Sequence, residues 1–265
     1  MAPNRSFSQS SKRLHLGIKF YFIHQRIMMN TLIKFIVAFP CFFLAELALA
    51  NDYKTSIEYR HDYRDGVKKH GDRFKVYLDT GKNIGFEFDA RYNNKDENLY
   101  DEMQLNGSEL TAFYYTNLNK NTVGLAGLSL DYTSEGLVYI PYVRLNYTFD
   151  NGFRLQGRYK WKLWDYGMVG VDGNSYHSKI QEFDSFIGYK YDRWDFQYQF
   201  DIFWEMDSNA LPLYNNRKWD YQHNVRIMYS LNTNWRPFVE IGNIKENRYT
   251  SERQTRYRVG IKYTW

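Results

Sequence analysis

Cationic side chains recur at alternating positions in two stretches of this sequence. Residues 153–163 and residues 253–265 both alternate arginine or lysine with apolar or aromatic residues. A guanidinium is a rigid fork that binds a carboxylate through two hydrogen bonds, and an ammonium acts as a point charge for the same group. Rows of such groups predict repeated, weak binding of carboxylates. The cations are Arg154, Arg158, Lys160, Lys162, Arg256 and Arg258.

The two-residue spacing indicates which elements position these cations. Successive side chains of a β-strand point to opposite faces, so each stretch predicts a strand with a cationic face and an apolar face. A soluble sheet would bury the apolar face in a core. A transmembrane barrel would turn it to lipid and line a water-filled lumen with the cations. The two stretches alone leave both architectures open.

Aromatic residues are unusually frequent for so polar a chain. Phe, Trp and Tyr make up 19% of the 265 residues, and 25 of them are tyrosines. The mean hydropathy is nevertheless −0.66. This combination is typical of a large β-sandwich or of a barrel with aromatic girdles.

The first 50 residues differ from the rest of the chain. An apolar run at 35–45 is followed by the small residues Ala48-Leu-Ala50. This pattern predicts a signal peptide at 1–50, cleaved after Ala50, because the run is too short to form a membrane-spanning helix. Residues 1–27 are basic and patternless. We expect them to lie upstream of a true start at Met28 or Met29; the alternative is a long n-region.

Removal of the predicted signal peptide changes the charge balance. It takes away six of the 35 Lys and Arg residues and one of the 30 Asp and Glu residues, which leaves 29 of each. The basic pI of the whole chain therefore gives no support to nucleic-acid binding. The single cysteine, Cys41, leaves with the same segment, so the mature chain is expected to have no thiol or disulfide chemistry.

The mature region, 51–265, alternates throughout and shows no long helical period. Short turns alternate with mostly longer loops, which is typical of an outer-membrane barrel with periplasmic turns and outer loops. The pattern predicts an all-β fold, a 12-stranded antiparallel transmembrane β-barrel. For the fourth and fifth strands, the sequence does not decide which alternate residues face inward. The predicted strands are 53–62, 72–79, 84–92, 107–116, 122–132, 137–149, 153–163, 180–191, 194–204, 218–230, 235–244 and 253–265.

Alternation also predicts which cations face the lumen. They form two stripes, one on the sixth and seventh strands and one on the last three and first three strands, which would face each other. Glu58, Glu87, Asp89 and Glu240 are expected to pair with some of them. The alternative for each arginine is an ion-pair network that only fills the interior. The predicted lining residues are Arg60, Arg73, Lys75, Arg91, Arg144, Arg154, Arg158, Lys160, Lys162, Arg226, Arg236, Arg256 and Arg258.

For the seventh and last strands as groups, solute lining is favoured over interior filling, because no acid alternates with their cations locally. Catalytic chemistry finds little support in the sequence. No Ser lies near His223 in a nucleophile pattern, and His61 and His70 border a loop without a matching Ser or Asp signature. We also find no metal-ligand spacing and no phosphate-binding glycine loop. The expectation is a protein that is not an enzyme and has no cofactor and no metal.

Three segments, 57–62, 235–243 and 252–265, resemble the oligogalacturonate-specific porin family. The resemblance covers the mature region in length and strand number, and it is weakest between residues 93 and 136. It implies a monomeric twelve-stranded barrel with a narrow, basic lumen that passes acidic oligosaccharides. We therefore expect a Gram-negative outer-membrane porin for oligogalacturonates or sialic acids.

The partners expected from this resemblance are outer-membrane lipid, acidic oligosaccharides and the barrel-assembly machinery, which would recognise the aromatic face of the last strand. Nucleic acid is not among them. A structural or adhesive barrel without significant conductance is the alternative. Discrete single-channel conductance separates the two.

Overall fold

Short turns at one end and mostly longer loops at the other connect the strands of a barrel. The computed structural model describes residues 53–94, 98–99 and 102–265, so the predicted signal peptide at 1–50 lies outside the described residues. Fourteen strands occur in these ranges. They are β1 (Lys54–Arg64), β2 (Lys69–Asp79), β3 (Ile84–Asn93), β4 (Gln104–Asn117), β5 (Thr122–Tyr132), β6 (Leu137–Thr148), β7 (Phe153–Trp164), β8 (Met168–Val169), β9 (Ser175–Tyr176), β10 (Lys179–Tyr191), β11 (Trp194–Glu205), β12 (Trp219–Tyr229), β13 (Trp235–Lys245) and β14 (Arg253–Thr264).

The strands other than β8 and β9 close into one antiparallel barrel. The first and last strands pair from Ser56 opposite Thr264 to Arg64 opposite Arg256, which completes the ring. Closure removes the free edges that an open sheet would expose. The prediction of a 12-stranded antiparallel barrel is confirmed.

In the described part of the chain, no helix has the length and apolarity that a membrane crossing requires.

Burial in this barrel is the reverse of that in a soluble sandwich. Outward apolar side chains such as Val143, Val225 and Val259 are 50 to 57% exposed. The side chains of Asp184 and Asp201, in contrast, are almost completely buried. An apolar surface of this extent would cause aggregation in water, whereas it is the normal exterior of a barrel in lipid. The apolar face of each strand is therefore the lipid face.

Aromatic rings cluster at the end of the barrel that carries the short turns, which we call the turn end; the opposite end is the loop end. The ring centroids of Trp194 and Tyr229 lie 4.7 Å apart, and those of Trp235 and Tyr263 lie 4.6 Å apart. Each pair joins neighbouring strands beside a tight turn. Amphipathic rings at this height form the girdle expected at a membrane–water interface.

The predicted loop at 63–71 is wrong. The β1–β2 ladder continues to Arg64 opposite Lys69, so the connection is only the four residues 65–68. His70, one of the polar residues in the predicted loop, is paired across the hairpin, with its Nδ1 3.0 Å from His61 Nε2, and His61 Nδ1 lies 3.1 Å from Asp72 Oδ1.

The predicted loop at 164–179 also contains structure that the sequence did not indicate, namely the short β8–β9 hairpin. Strands of two residues are too short to produce a recognisable alternation.

Candidate functional site in the barrel lumen

Eleven of the thirteen predicted cations line a lumen cavity of about 920 Å³. The two that do not are Arg154, whose guanidinium pairs with Asp195, and Arg236, which lies opposite Lys262 in the β13–β14 register. Lys262 lines the cavity, although the prediction omitted it. It is in phase with Arg258, so the alternation itself contained the signal. The eleven are Arg60, Arg73, Lys75, Arg91, Arg144, Arg158, Lys160, Lys162, Arg226, Arg256 and Arg258.

The structure also fixes the parity of β4 and β5. Their inward faces are mixed, with apolar and aromatic side chains beside polar ones, which is why alternation in the sequence did not separate the two faces. Each of these strands contributes one carboxylate to the wall, Glu109 and Asp131. The other inward residues are Thr111, Phe113, Tyr115, Val123, Leu125 and Ser129.

Several inward aromatic rings lie flat against a glycine directly opposite them on the neighbouring strand. A Cβ atom added at such a glycine would overlap the ring, so only glycine leaves space for the ring at the wall. The flat position keeps a large side chain out of the middle of the lumen. The pairs are Phe113 over Gly85, Tyr142 over Gly127 and Phe238 over Gly260.

Cations in turn lie over aromatic rings of the wall. The guanidinium of Arg226 is 4.1 Å from the Phe238 ring centroid, and that of Arg158 is 5.9 Å from the Tyr142 centroid. A cation over a ring face is attracted by the negative π surface. The glycine, the ring and the guanidinium therefore form a stack that holds the charge in a defined position on the wall.

The cations of β7 are paired with carboxylates of β10. Arg158 Nη2 lies 2.7 Å from Asp184 Oδ2, and Lys160 Nζ lies 2.7 Å from Glu182 Oε1 and 2.9 Å from Asp184 Oδ2. Lys162 Nζ is 2.5 Å from Glu182 Oε2. Although no acid alternates with these cations along β7, Glu182 and Asp184 of the adjacent strand lie directly opposite Lys160 and Arg158.

The acids that the sequence proposed as partners are in contact with lumen cations. Glu240 accepts hydrogen bonds from Arg258 and from Arg226 Nε, the latter at 3.1 Å. Arg226 Nη2 also donates to Glu58 Oε1 at 3.2 Å. The remaining two acids form the pairs Lys75–Glu87 and Arg73–Asp89, and Arg91 pairs with Asp131.

Four lumen cations have no carboxylate oxygen within 4 Å among the residues that the structure describes: Arg60, Arg144, Arg256 and Lys262, which we call the unpaired cations. Arg144 Nε donates to Asn146 Oδ1 at 2.8 Å. Arg256 Nη2 donates to Asn224 Oδ1 at 2.8 Å, and the buried Nε of Arg256 has no hydrogen-bond partner. These guanidinium and ammonium groups keep donors that a solute carboxylate can use.

The unpaired cations lie on opposite walls. Arg60 is on β1 and two others are on β14, its neighbour, whereas Arg144 is on β6. Around the ring of twelve strands, β14 and β6 are six positions apart, which is half the circumference. A solute passing along the lumen therefore meets free positive charge on two sides.

Groups suited to metal binding are absent from the described ranges, where no three or more His, Cys, Asp or Glu side chains are arranged around one point. His223 lies on the outer face and its Nδ1 is 2.6 Å from the Tyr198 hydroxyl.

Comparison with known proteins agrees with this geometry. The sequence profile of the family described as oligogalacturonate-specific porin protein (KdgM) matches residues 48–265. The oligogalacturonate-specific porin KdgM of Dickeya dadantii (strain 3937) is 29% identical over 240 residues, which cover 84% of this chain and 96% of that protein.

Two solved structures share the fold. The NanC porin superposes with a TM-score of 0.70 at 17% identity, over 78% of this chain and 98% of its own. The KdgM porin in complex with disordered oligogalacturonate superposes with a TM-score of 0.55 at 23% identity, over 79% and 99% of the two chains.

Proposed function

Because this chain belongs to the oligogalacturonate-specific porin family, it is an outer-membrane porin of Gram-negative bacteria, and we propose that the solutes it conducts are acidic oligosaccharides. The observation that carries this proposal is the presence of unpaired cations on opposite walls of the lumen. The Dickeya dadantii relative, described as oligogalacturonate-specific, supports the same class of solute. Oligomers of uronate or sialate units carry carboxylates at regular intervals and match such a wall.

The two kinds of lumen cation have different roles in the proposed passage. An unpaired guanidinium offers its donors to a solute carboxylate without losing a protein partner. A paired cation, such as Lys160, already holds a protein carboxylate, so a solute must compete there and gains less. A series of strong and weak positions lets the solute enter and leave, because no single site retains it.

Polar side chains of the lumen wall can contact the hydroxyl groups of the sugar. Thr111 and Ser129, whose hydroxyl oxygens lie 2.7 Å apart, face the lumen with Gln199 and Asn224. These side chains can exchange hydrogen bonds with sugar hydroxyls as the solute moves. The inward carboxylates repel other anions locally and keep the path from binding acidic solutes too tightly.

A planar-bilayer experiment tests the proposal. We expect discrete single-channel conductance, a reversal potential that favours anions, and a concentration-dependent current block by trigalacturonate that maltotriose, a neutral trisaccharide, does not produce. Conductance that favours cations, or equal block by the two trisaccharides, would contradict the proposed solute class. The absence of any discrete conductance would instead support the structural or adhesive barrel.

We also propose that signal peptidase cleaves after Ala50, that the barrel acts as a monomer, and that the barrel-assembly machinery recognises the aromatic face of the last strand. N-terminal sequencing of the outer-membrane form tests the first statement, and its mass in detergent tests the second. For the third, we expect Trp265→Ala to slow the appearance of the folded, heat-modifiable form, whereas Tyr159→Phe does not.

A further inference from the structure

A second cavity, of about 470 Å³, lies at the loop end of the barrel. We call it the mouth pocket. Its apolar wall combines the inward residues at the ends of three neighbouring strands, β7, β10 and β11, with residues of two loops and of β13. Six of its thirteen lining residues are apolar, a larger share than in the lumen cavity. The apolar lining residues are Val67, Trp164, Ile180, Phe203, Leu213 and Ile244.

Cations stand at the edge of the mouth pocket, and their counter-charges are shared. Lys162 Nζ lies 5.3 Å from the Phe203 ring centroid and pairs with Glu182, which also holds Lys160. A third cation, Arg64, also lines the pocket, and its Nε lies 3.5 Å from Asp62 Oδ2, so its charge is balanced by that carboxylate. The three cations Arg158, Lys160 and Lys162 share the two carboxylates Glu182 and Asp184, which leaves positive charge beside the Phe203 ring.

On the opposite side of the mouth pocket, two cations also share one carboxylate. Lys245 Nζ lies 3.3 Å from Asp220 Oδ2, and Arg253 Nη1 lies 3.1 Å from Asp220 Oδ1. Arg253 is fixed in place because its Nη2 also donates to the carbonyl oxygens of Tyr221 at 2.6 Å and Asn243 at 3.1 Å. Asp220 is therefore shared by Lys245 and Arg253, and Glu246 is the other carboxylate that lines the pocket.

Arg253 takes this position because the barrel wall is interrupted there. The β12–β13 ladder runs from Met228 opposite Phe238 only as far as His223 opposite Asn243. Beyond that point the Arg253 guanidinium bridges the two strands in place of ladder hydrogen bonds. The pocket residues Gln222 and Ile244 belong to this segment, so the pocket wall is held by a side chain of fixed position.

We propose that the mouth pocket binds a small aromatic carboxylate, with its ring among Trp164, Phe203 and Leu213 and its carboxylate at Lys162 or Lys245. The volume falls within the ~300–1,000 Å³ usual for small-molecule sites, which combine an apolar wall with a few polar groups. A flat ring can pack against the aromatic side chains of the wall. One anionic group can pair with a lysine whose protein carboxylate is shared with another cation. This site and its ligand class are additional to the proposed passage of acidic oligosaccharides.

Occupation of the mouth pocket has a consequence for the channel. Lys162 and Gln222 line both the mouth pocket and the lumen cavity. A carboxylate bound at Lys162 neutralises a lumen cation and narrows the entrance from the loop end. Bound ligand therefore reduces anion current.

The experiment measures single-channel current with trans-cinnamate added to one side of the bilayer at a time. We expect block by cinnamate from the loop side only, with much weaker block by acetate, which has no ring, and by cinnamyl alcohol, which has no charge. Phe203→Ala should raise the half-blocking cinnamate concentration about tenfold, because it removes a large apolar surface.

Two further variants distinguish a loss of ligand binding from a folding defect. Leu213→Ala, in a loop, should also weaken the block, whereas Phe186→Ala, which removes an inward ring from the lumen cavity and not from the mouth pocket, should leave it intact. Equal block from both sides, equal block by acetate, or no loss of block in Phe203→Ala would each overturn the inference.

A failure of the mouth-pocket inference can be distinguished from a failure of the proposed function. If the barrel conducts anions without cinnamate block, only the mouth-pocket inference fails. If the barrel shows no conductance, the proposed function fails and the site is still tested by titration calorimetry of the detergent-solubilised protein. Saturable cinnamate heat, with a dissociation constant that Phe203→Ala raises about tenfold, would support the site, and the absence of saturable heat would overturn it.

Discussion

At the scale of single residues, the distinction that matters in this lumen is between paired and unpaired cations. Both kinds are arginines and lysines on inward faces, and both line the same cavity. A paired cation contributes orientation and fills the wall, since its charge is balanced nearby. An unpaired cation keeps donors and net charge for the solute, so substitutions at the two kinds should have different effects.

Removing an unpaired charge should weaken solute binding directly. We expect Arg144→Gln and Arg256→Gln each to raise the half-blocking concentration of trigalacturonate about tenfold or more, because a charge-assisted hydrogen bond contributes ~1.5–3 kcal/mol. Bilayer current block measures the change. Lys120→Gln is the matched control, since the Lys120 side chain is 83% exposed at a turn; an equal loss in that variant would contradict the assignment.

Removing a buried carboxylate that balances a lumen cation should increase the preference of the channel for anions. Asp184→Asn leaves Arg158 without its carboxylate and adds one positive charge to the lumen. We expect a stronger anion preference in the reversal potential, together with a loss of ~3–5 kcal/mol in unfolding free energy, the usual effect of leaving a buried ion unpaired.

Urea unfolding of the reconstituted protein measures the stability part of that prediction. Asp150→Asn is its control, because the Asp150 side chain is 81% exposed and its distance to Lys120 is 3.5 Å. Unchanged stability and unchanged selectivity in Asp184→Asn would show that the buried pair has neither role.

At the scale of strands, the open diameter of the lumen depends on glycines that face aromatic rings. A Cβ at Gly127 would lie 2.7 Å from the Tyr142 ring, closer than packed atoms allow. The ring must then swing inward, because the strand backbone is held on both sides by ladder hydrogen bonds.

We therefore expect Gly127→Val to reduce unitary conductance several-fold and the double variant Gly127→Val with Tyr142→Ala to restore it. Gly157→Ala is the control, since its Cβ would meet Phe183 at an ordinary 3.6 Å. Single-channel recording measures all three, and failure of the double variant to recover conductance would refute this account.

At the scale of the whole molecule, the barrel behaves as a charged, water-filled tube in lipid. Its apolar exterior and charged interior follow from the same alternation on every strand. Selectivity that arises from lumen charge is screened by salt, because the Debye length falls from about 10 Å at 0.1 M to about 3 Å at 1 M. We expect the reversal potential at a fixed concentration ratio to move towards the non-selective value as salt rises, and no movement would point to size selection.

The sequence by itself determined the number of barrel strands, the lipid face and most of the cations that line the lumen, because alternation has a period of two and is a local property. It left β4 and β5 unassigned, since both of their faces carry apolar residues. Only the tertiary structure decided that Arg158 and Lys160 are paired with β10 whereas Arg144 and Arg256 are not. Cross-strand partners depend on register and on the stagger of the closed barrel, which alternation within one strand does not encode. For the same reason the mouth pocket, built from the ends of separate strands and loops, appears only once the barrel is closed.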